Sequence, residues 1–250
     1  MQTGERKARR LLRRVSTGYI FTVLLGGVVF EALYFTGYLS RKREGFLFNS
    51  LYGFNLAVIA AAVVLLLWAY STNRNKVLLL SSLSVLSWFL GSLFWVSYVF
   101  LLDKILLYPS VAQFAFHGFH LLMIPLLLYF VEKLGIALRK PSFVLVAVTA
   151  SVPVMTYFVG TTNLAVAVYN IFYLSLVTSV LVLASHLVYE SRLPLFGVAL
   201  VAFSFADLNF ITTTLSDEAP VVLSLDPIWF SAHALVSFSL VRYSCRGDLP

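Results

Sequence analysis

The chain has 250 residues, of which 60% are hydrophobic and 12% are charged. A water-soluble domain carries about a quarter charged residues, so this composition excludes a soluble globular protein and predicts an integral membrane protein. The formal net charge is +7, but the basic residues flank the apolar runs, and we expect no nucleic acid partner.

Eight apolar runs follow one another along the chain, and each predicts a membrane-spanning helix, which needs about 20 apolar residues. We therefore expect an all-α, polytopic transmembrane helical bundle of about eight spans. Seven spans is the alternative, because the fifth run is short and the eighth contains Asp226 and Pro227 near its start. The eight runs cover residues 17–39, 46–70, 77–101, 106–130, 142–160, 164–189, 194–215 and 221–243.

This pattern predicts three regions: a basic N-terminal arm at residues 1–16, a single transmembrane domain at 17–243 and a short tail at 244–250. If the N-terminus is cytoplasmic and the chain crosses eight times, 14 of the 18 basic residues lie inside. The positive-inside rule favours this arrangement. We expect a multi-pass protein of the cytoplasmic membrane (the cell membrane) with both termini in the cytoplasm, although the run RKRE at 41–44 then lies outside.

The basic arm contains the sequence RKARRLLRR at residues 6–14. Its mixture of basic residues and leucine suits the anionic inner leaflet of a membrane. Besides the bilayer, we therefore expect anionic lipids as partners of this arm.

A weak internal repeat is visible. Arg74 and Arg192 are 118 residues apart, and so are Pro109 and Pro227. The second to fourth and the sixth to eighth spans would then correspond, and the bundle would consist of two parallel four-helix halves. In the third span, Ser84, Ser87 and Gly91 form a row of small residues, which is typical of close helix packing.

Polar residues are concentrated in a few of the predicted spans. Gln113, His117 and His120 lie in the segment QFAFHGFHLLM, and their spacings of four and three place them on one helix face. An ionisable residue at the centre of a span costs about 2.5–3.5 kcal/mol on insertion scales, so such residues usually face one another or a wet cavity. Under the predicted orientation they lie between the midplane and the outer surface.

We therefore predict an outward-facing polar pocket where the first, fourth, seventh and eighth spans meet. The pocket would be formed by Glu31, Gln113, His117, His120, Asp207, Asp226 and His233. The alternative is that each polar side chain hydrogen-bonds to a neighbouring helix and fixes the packing.

A metal site is one chemistry that such a pocket would allow. His117 and His120 are three residues apart on one helix face, and Asp207 would complete a set of ligands for a divalent metal such as zinc. The chain contains no HExxH, GxSxG or Walker motif. No lysine follows Lys140, so the final spans lack a lysine that could form a Schiff base with retinal. This excludes a retinal protein of the usual covalent kind.

The function that the sequence favours is the binding of a small ligand, an ion or a lipid head group in this pocket. The protein would then act as a sensory or partner-binding subunit, with a membrane or cytoplasmic protein as its partner. An intramembrane metal-dependent hydrolase or transferase, and an ion- or proton-coupled transporter, are the alternatives. Whether the protein is an enzyme is left open by the sequence.

Overall fold

The computed structural model describes residues 2–35, 46–98, 110–136, 164–188, 193–214, 226–247 and 249. These residues form seven α-helices and no strand. In chain order they are α1 (Gln2–Phe35), α2 (Phe46–Asn73), α3 (Lys76–Val96), α4 (Val111–Leu134), α5 (Leu164–Val188), α6 (Pro194–Thr214) and α7 (Asp226–Arg246).

The helices confirm a membrane-embedded helical bundle. Within the described part of the chain, five helical segments are long and apolar enough to cross a membrane: Arg6–Phe30, Tyr52–Asn73, Lys76–Val96, Val111–Leu134 and Val168–Val188. The predicted seventh span contributes a shorter apolar stretch, Pro194–Phe210, and the eighth corresponds to α7. The predicted fifth span, 142–160, lies outside the described residues, so the count of eight stays a prediction.

Six helices form a closed ring in which each packs against the next, from α2 through α7 and back to α2. Helix α1 lies outside this ring against α7 and α2. This arrangement gives the predicted division into two four-helix halves no support. Helix α1 is also continuous through residue 16, so the basic arm is helical and joined to the first span without a break.

Contacts at the helix termini show that one end of the bundle gathers the basic residues. Asn73 Nδ2 donates to Ser244 Oγ (3.3 Å), and the Cys245 thiol lies 3.6 Å from the Arg9 carbonyl oxygen. We call this the basic end; it comprises the start of α1, the α2–α3 turn, the end of α4, the start of α6 and the end of α7. The basic residues within the described ranges all lie there: Arg6, Lys7, Arg9, Arg10, Arg13, Arg14, Arg74, Lys76, Lys133, Arg242 and Arg246.

Local sequence explains where the helices stop. Arg74 adopts a left-handed conformation (φ 54°) directly after α2, and the Asn75 side chain then accepts a hydrogen bond from the Val77 N–H (2.8 Å) as the N-cap of α3. The turn between α2 and α3 therefore consists of only two residues, Arg74 and Asn75. At the C-terminus of α4, Gly135 adopts φ 65° and ends the helix, as glycine commonly does in a left-handed conformation.

Helices α3 and α4 approach closely along the predicted row of small residues. Ser84 Oγ donates to the Phe119 carbonyl (2.8 Å) and Ser87 Oγ to the Ala115 carbonyl (2.7 Å). A Cβ atom at Gly91 would lie 2.9 Å from the Ala112 carbonyl oxygen, so a larger residue would push the helices apart. The packing role predicted for this seam (Ser84, Ser87 and Gly91) is confirmed.

Candidate functional site

The centre of the helix ring is filled by aromatic rings from four helices. Trp88 of α3 contacts Phe119 of α4, Phe203 of α6 and Trp229 of α7, with ring centroids 5.7, 4.7 and 6.2 Å apart. Phe119 and Phe203 are themselves in contact at 4.4 Å. The imidazole rings of His120 and His233 are set into this apolar core rather than into a polar surface.

His120 and Asp207 form a pair between α4 and α6. His120 Nε2 lies 2.9 Å from Asp207 Oδ2, and both side chains are 0% exposed. The contact has the distance of an ion pair but lacks the direction of a standard hydrogen bond. Asp207 Oδ1 accepts a hydrogen bond from the indole N–H of Trp229 (2.7 Å). The carboxyl group is thus held by groups from two neighbouring helices.

The geometry of His120 favours one tautomer of its imidazole ring. Its Nδ1 lies 3.1 Å from the Phe116 carbonyl oxygen, which can accept but not donate, so Nδ1 carries a hydrogen. In a neutral imidazole the other nitrogen, Nε2, then has only a lone pair. A lone pair facing a carboxylate oxygen at 2.9 Å would be repulsive. The contact is attractive when the imidazole or the carboxyl group carries a further proton, so the His120–Asp207 pair has the chemistry to bind one.

His233 contacts the same aromatic core. Its ring contacts Trp88 (5.4 Å), Phe119 (5.4 Å) and Phe203 (4.9 Å), which are also neighbours of His120. Its Nδ1 donates to the Trp229 carbonyl oxygen (2.8 Å), one turn earlier in α7. The imidazole therefore presents its Nε2 lone pair to the core.

His117 faces a separate aromatic group on α5. Its Nδ1 bonds to the Gln113 carbonyl oxygen, and the Tyr169 hydroxyl lies 3.0 Å from the same nitrogen. The ring stacks on Phe172 (interplanar angle 4°) and contacts Tyr173 at 4.7 Å. Tyr173 also contacts His120 at 5.5 Å. The two histidines of α4 are therefore neighbours through Tyr173, and each faces a different part of the bundle.

Within the described ranges, three polar atoms in or next to these rings are buried and have no hydrogen-bond partner: His117 Nε2, His233 Nε2 and Ser204 Oγ. Leaving a buried polar group unsatisfied costs about 1–3 kcal/mol. His233 Nε2 is an acceptor, because the Nδ1 atom of this ring donates to a carbonyl group. A partner for it must be a hydrogen-bond donor or a cation.

The cluster lies deep in the bundle. Counted at about 1.5 Å per residue, Trp88 lies roughly 18 Å along α3 from Lys76. His120 lies roughly 21 Å from the end of α4, and Asp207 and His233 lie roughly 20 Å along their helices from the same end of the bundle. The His120–Asp207 pair and His233 are therefore at one level, about 20 Å from the basic end.

The structure brings together part of the predicted pocket. His120, Asp207 and His233 contact one aromatic core; that this core is part of a polar pocket stays a prediction. Helix α1 packs on the outer side of α7, and the side chains of Glu31 and Asp226 lie outside the described part of the structure. Their place in the pocket stays a prediction.

Gln113 has a local role in the structure. Its Oε1 accepts from the backbone N–H of Ser110 (2.6 Å), and the two side chains are also in contact, which forms a capping box at the start of α4. The amide that the spacing placed on the histidine face is thus used to begin the helix.

The predicted metal ligands are not gathered into one set. Among the described side chains, no group of three or more His, Cys, Asp or Glu residues has the geometry to hold a metal ion. His120 and Asp207 form a pair, whereas His117 is directed towards α5. A zinc site at His117, His120 and Asp207 stays a prediction, and these three residues alone do not complete it.

Trp229 and Trp88 were missed by the sequence reasoning. A buried indole N–H usually has an acceptor. Trp229 lies one turn before His233 in α7, so it faces the same side of the helix as a predicted pocket residue. This position was the signal that its N–H bonds to a polar group of the pocket, such as the Asp207 carboxyl. Trp88 gives no such signal, because an apolar aromatic residue in a span is as compatible with lipid contact as with the core.

Comparisons of the chain with protein-family models, with curated proteins and with solved structures find no match in any of the three.

Proposed function

We propose that this membrane protein binds a small ligand at the cluster formed by His120, Asp207, Trp229 and His233. The proposal rests on one observation above all: buried acceptor atoms that have no partner among the described residues, His233 Nε2 foremost, lie around the buried His120–Asp207 pair. Packing alone would favour an apolar residue at such a position, since an unsatisfied buried group is costly.

The chemistry of the cluster indicates the class of ligand. Lone pairs on imidazole and hydroxyl groups accept hydrogen bonds, and the faces of Trp88, Phe119 and Phe203 attract positive charge. A ligand with N–H or O–H donors, such as a small ammonium compound, satisfies both. A divalent metal ion is the alternative, and it would need ligands beyond the described residues.

The biological role that fits best is that of a sensory or partner-binding subunit. Ligand binding between α4, α6 and α7 would change how these helices pack, and the turns at the basic end would pass that change to a membrane or cytoplasmic protein. We infer that the protein lies in the cytoplasmic membrane. By the positive-inside rule, its basic end and both chain termini would then be in the cytoplasm. The pocket would then open towards the outside.

The binding proposal is tested by removing and restoring the ligand. Protein purified in mild detergent is stripped by extensive dialysis, and its melting temperature is compared before and after adding back the small-molecule fraction released by denatured protein. A ligand of the native state must raise the melting temperature. We expect this rise in the wild type and its loss in His233→Ala and His120→Ala.

The matched control is His186→Ala. His186 is also buried in a helix, and its Nδ1 bonds to the Val182 carbonyl oxygen (2.8 Å), but it lies near the basic end, away from the cluster. This variant should keep the response. Zinc chloride added alone distinguishes a metal from an organic ligand. If the cluster variants recover as fully as the wild type, the binding proposal is wrong.

Proton-coupled transport is the second candidate, and the buried His120–Asp207 pair is the specific observation in its favour. Intramembrane Asp and His residues form the proton relays of pumps and transporters. In liposomes with an imposed pH gradient, proton flux through the wild type that disappears in Asp207→Asn would favour this function. Equal flux in the two proteins would exclude it.

A further inference from the structure

The described part of α1 is much longer than a membrane requires. Its 34 residues extend about 51 Å at 1.5 Å per residue, whereas the hydrocarbon core is about 30 Å thick. The last 21 residues, from Val15 to Phe35, are sufficient to cross the core. If these 21 residues occupy the core, residues 2–14 extend beyond it as a continuous part of the same helix.

This extension is fixed to the bundle rather than free. Leu12 is completely buried in the main core, and the Arg9 carbonyl oxygen lies 3.6 Å from the Cys245 thiol. Ser16 and Ile20, at the next turns of the same face, are also buried. The direction in which the other side chains of the extension point is therefore set by the packing of α1 on α7.

Five of the six basic residues of α1 share one face, separate from the buried face that contains Arg9. At 100° per residue, the five fall within about 120° of the helix circumference. These five residues, which we call the basic face, are Arg6, Lys7, Arg10, Arg13 and Arg14. They are exposed, as expected for side chains directed away from the bundle.

The same face continues into the membrane as an exposed apolar surface. Phe21, Leu24, Leu25 and Val28 lie at the same angles around α1 and are 70%, 45%, 56% and 67% exposed. In a membrane-embedded bundle, large apolar side chains that remain exposed face lipid tails. The basic face therefore lies directly beyond the lipid that covers α1.

We propose that the basic face of α1 binds the head groups of anionic phospholipids in the layer of lipid that surrounds the protein. Its occupant follows from charge complementarity and from continuity with the lipid-facing surface. If the hydrocarbon core begins near Val15, Arg14 and Arg13 lie about 2–3 Å beyond it and Arg10 about 8 Å. Lys7 and Arg6 lie about 12–14 Å beyond it, within a head-group layer of 5–8 Å plus one screening length.

The test uses the full-length protein in bilayers that contain spin-labelled lipids. The association of spin-labelled phosphatidylglycerol with the protein is compared with that of spin-labelled phosphatidylcholine. Each basic residue near an anionic surface contributes roughly a fivefold preference. We expect the wild type to prefer the anionic lipid at low salt and to lose much of that preference at high salt.

Two variants with the same total charge separate the basic face from general charge at this end. In the first, the five residues of the basic face are changed to Gln, and the anionic preference should fall at least fivefold. In the second, five basic residues elsewhere at the basic end are changed to Gln, and most of the preference should remain. The five control positions are Arg74, Lys76, Lys133, Arg242 and Arg246.

Each other result overturns the proposal. If the wild type does not prefer phosphatidylglycerol to phosphatidylcholine, the basic face does not bind anionic lipid, and an acidic protein becomes the partner to test. If the control variant loses as much preference as the first variant, the effect is due to net charge and not to the basic face. If glycerol phosphate at millimolar concentration displaces the labelled lipid, the face binds free phosphate groups instead of lipid.

Discussion

The α3–α4 seam and the central cluster both bury polar side chains, but they differ in how those side chains are satisfied. In the seam, the hydroxyl groups of Ser84 and Ser87 donate to backbone carbonyls of the facing helix. In the cluster, His233 Nε2 has no partner within the described part of the chain, and the contact of His120 with Asp207 lacks the direction of a standard hydrogen bond. Burial of a polar residue therefore does not by itself distinguish the cluster from the seam; incomplete satisfaction of the buried ionisable groups does.

The largest effect is expected from Asp207→Ala. The variant leaves His120 Nε2 and the Trp229 indole N–H buried without their acceptor, and loss of one partner of a buried pair costs about 3–5 kcal/mol. We expect the free energy of unfolding, measured by titration with SDS, to fall by about 3 kcal/mol. Asn209→Ala in the same helix is the control, because Asn209 bonds to a carbonyl of its own helix. If both variants lose a similar free energy of unfolding, the contacts of Asp207 contribute no more to stability than an ordinary side-chain hydrogen bond within one helix.

Gly118→Ala tests the seam. The added Cβ would overlap Ser87 Oγ, so the helices must separate or Ser87 must give up its hydrogen bond, at a cost of about 2 kcal/mol. The second substitution Ser87→Ala should recover part of this loss. Gly53→Ala is the matched control in α2, where a Cβ meets nothing within 4 Å. A neutral Gly118→Ala would show that the seam is loosely packed.

Trp229→Phe isolates one hydrogen bond of the cluster. The ring is retained while the donor to Asp207 Oδ1 is lost, and we expect a destabilisation of about 1–2 kcal/mol. In the Asp207→Ala background the same change should cost much less, because the bond is already absent. Equal costs in the two backgrounds would mean that Trp229 acts by packing alone.

The smallest effect is expected at Gln113. If its side chain serves the capping box with Ser110, Gln113→Ala should cost about 1 kcal/mol or less and leave any ligand-dependent rise in melting temperature unchanged. Loss of that rise would show that Gln113 contributes to ligand binding, as its spacing from His117 predicts.

The membrane class and the seam were predictable from the sequence, because apolar runs and small-residue rows follow from local composition. The concentration of polar residues in certain spans also predicted His120, Asp207 and His233 near one another. The sequence did not predict which face of α4 each histidine takes. His117 and His120 are three residues apart, yet one contacts α5 and the other Asp207, because neighbouring helices enclose α4 from several sides.

The role of Gln113 shows a second limit. Its distance of four residues from His117 suggested a shared polar face, but it is also the third residue of α4 after the Ser110 N-cap. A capping residue and a pocket residue have the same sequence signature until the helix start is known. The partners of Asp207 were equally hidden, since Trp229 is 22 residues away along the chain and reaches it only through the packing of α6 and α7.

Native mass spectrometry of the protein released from its own membrane tests the central claim most directly. The double variant His120→Leu with Asp207→Leu replaces the buried pair by apolar side chains, a change that is often neutral or stabilising. We predict that the wild type and His186→Ala carry a bound small-molecule or metal mass and that the folded double variant lacks it. A double variant that is folded and carries the same bound mass would show that the central cluster is a packing device and not a binding site.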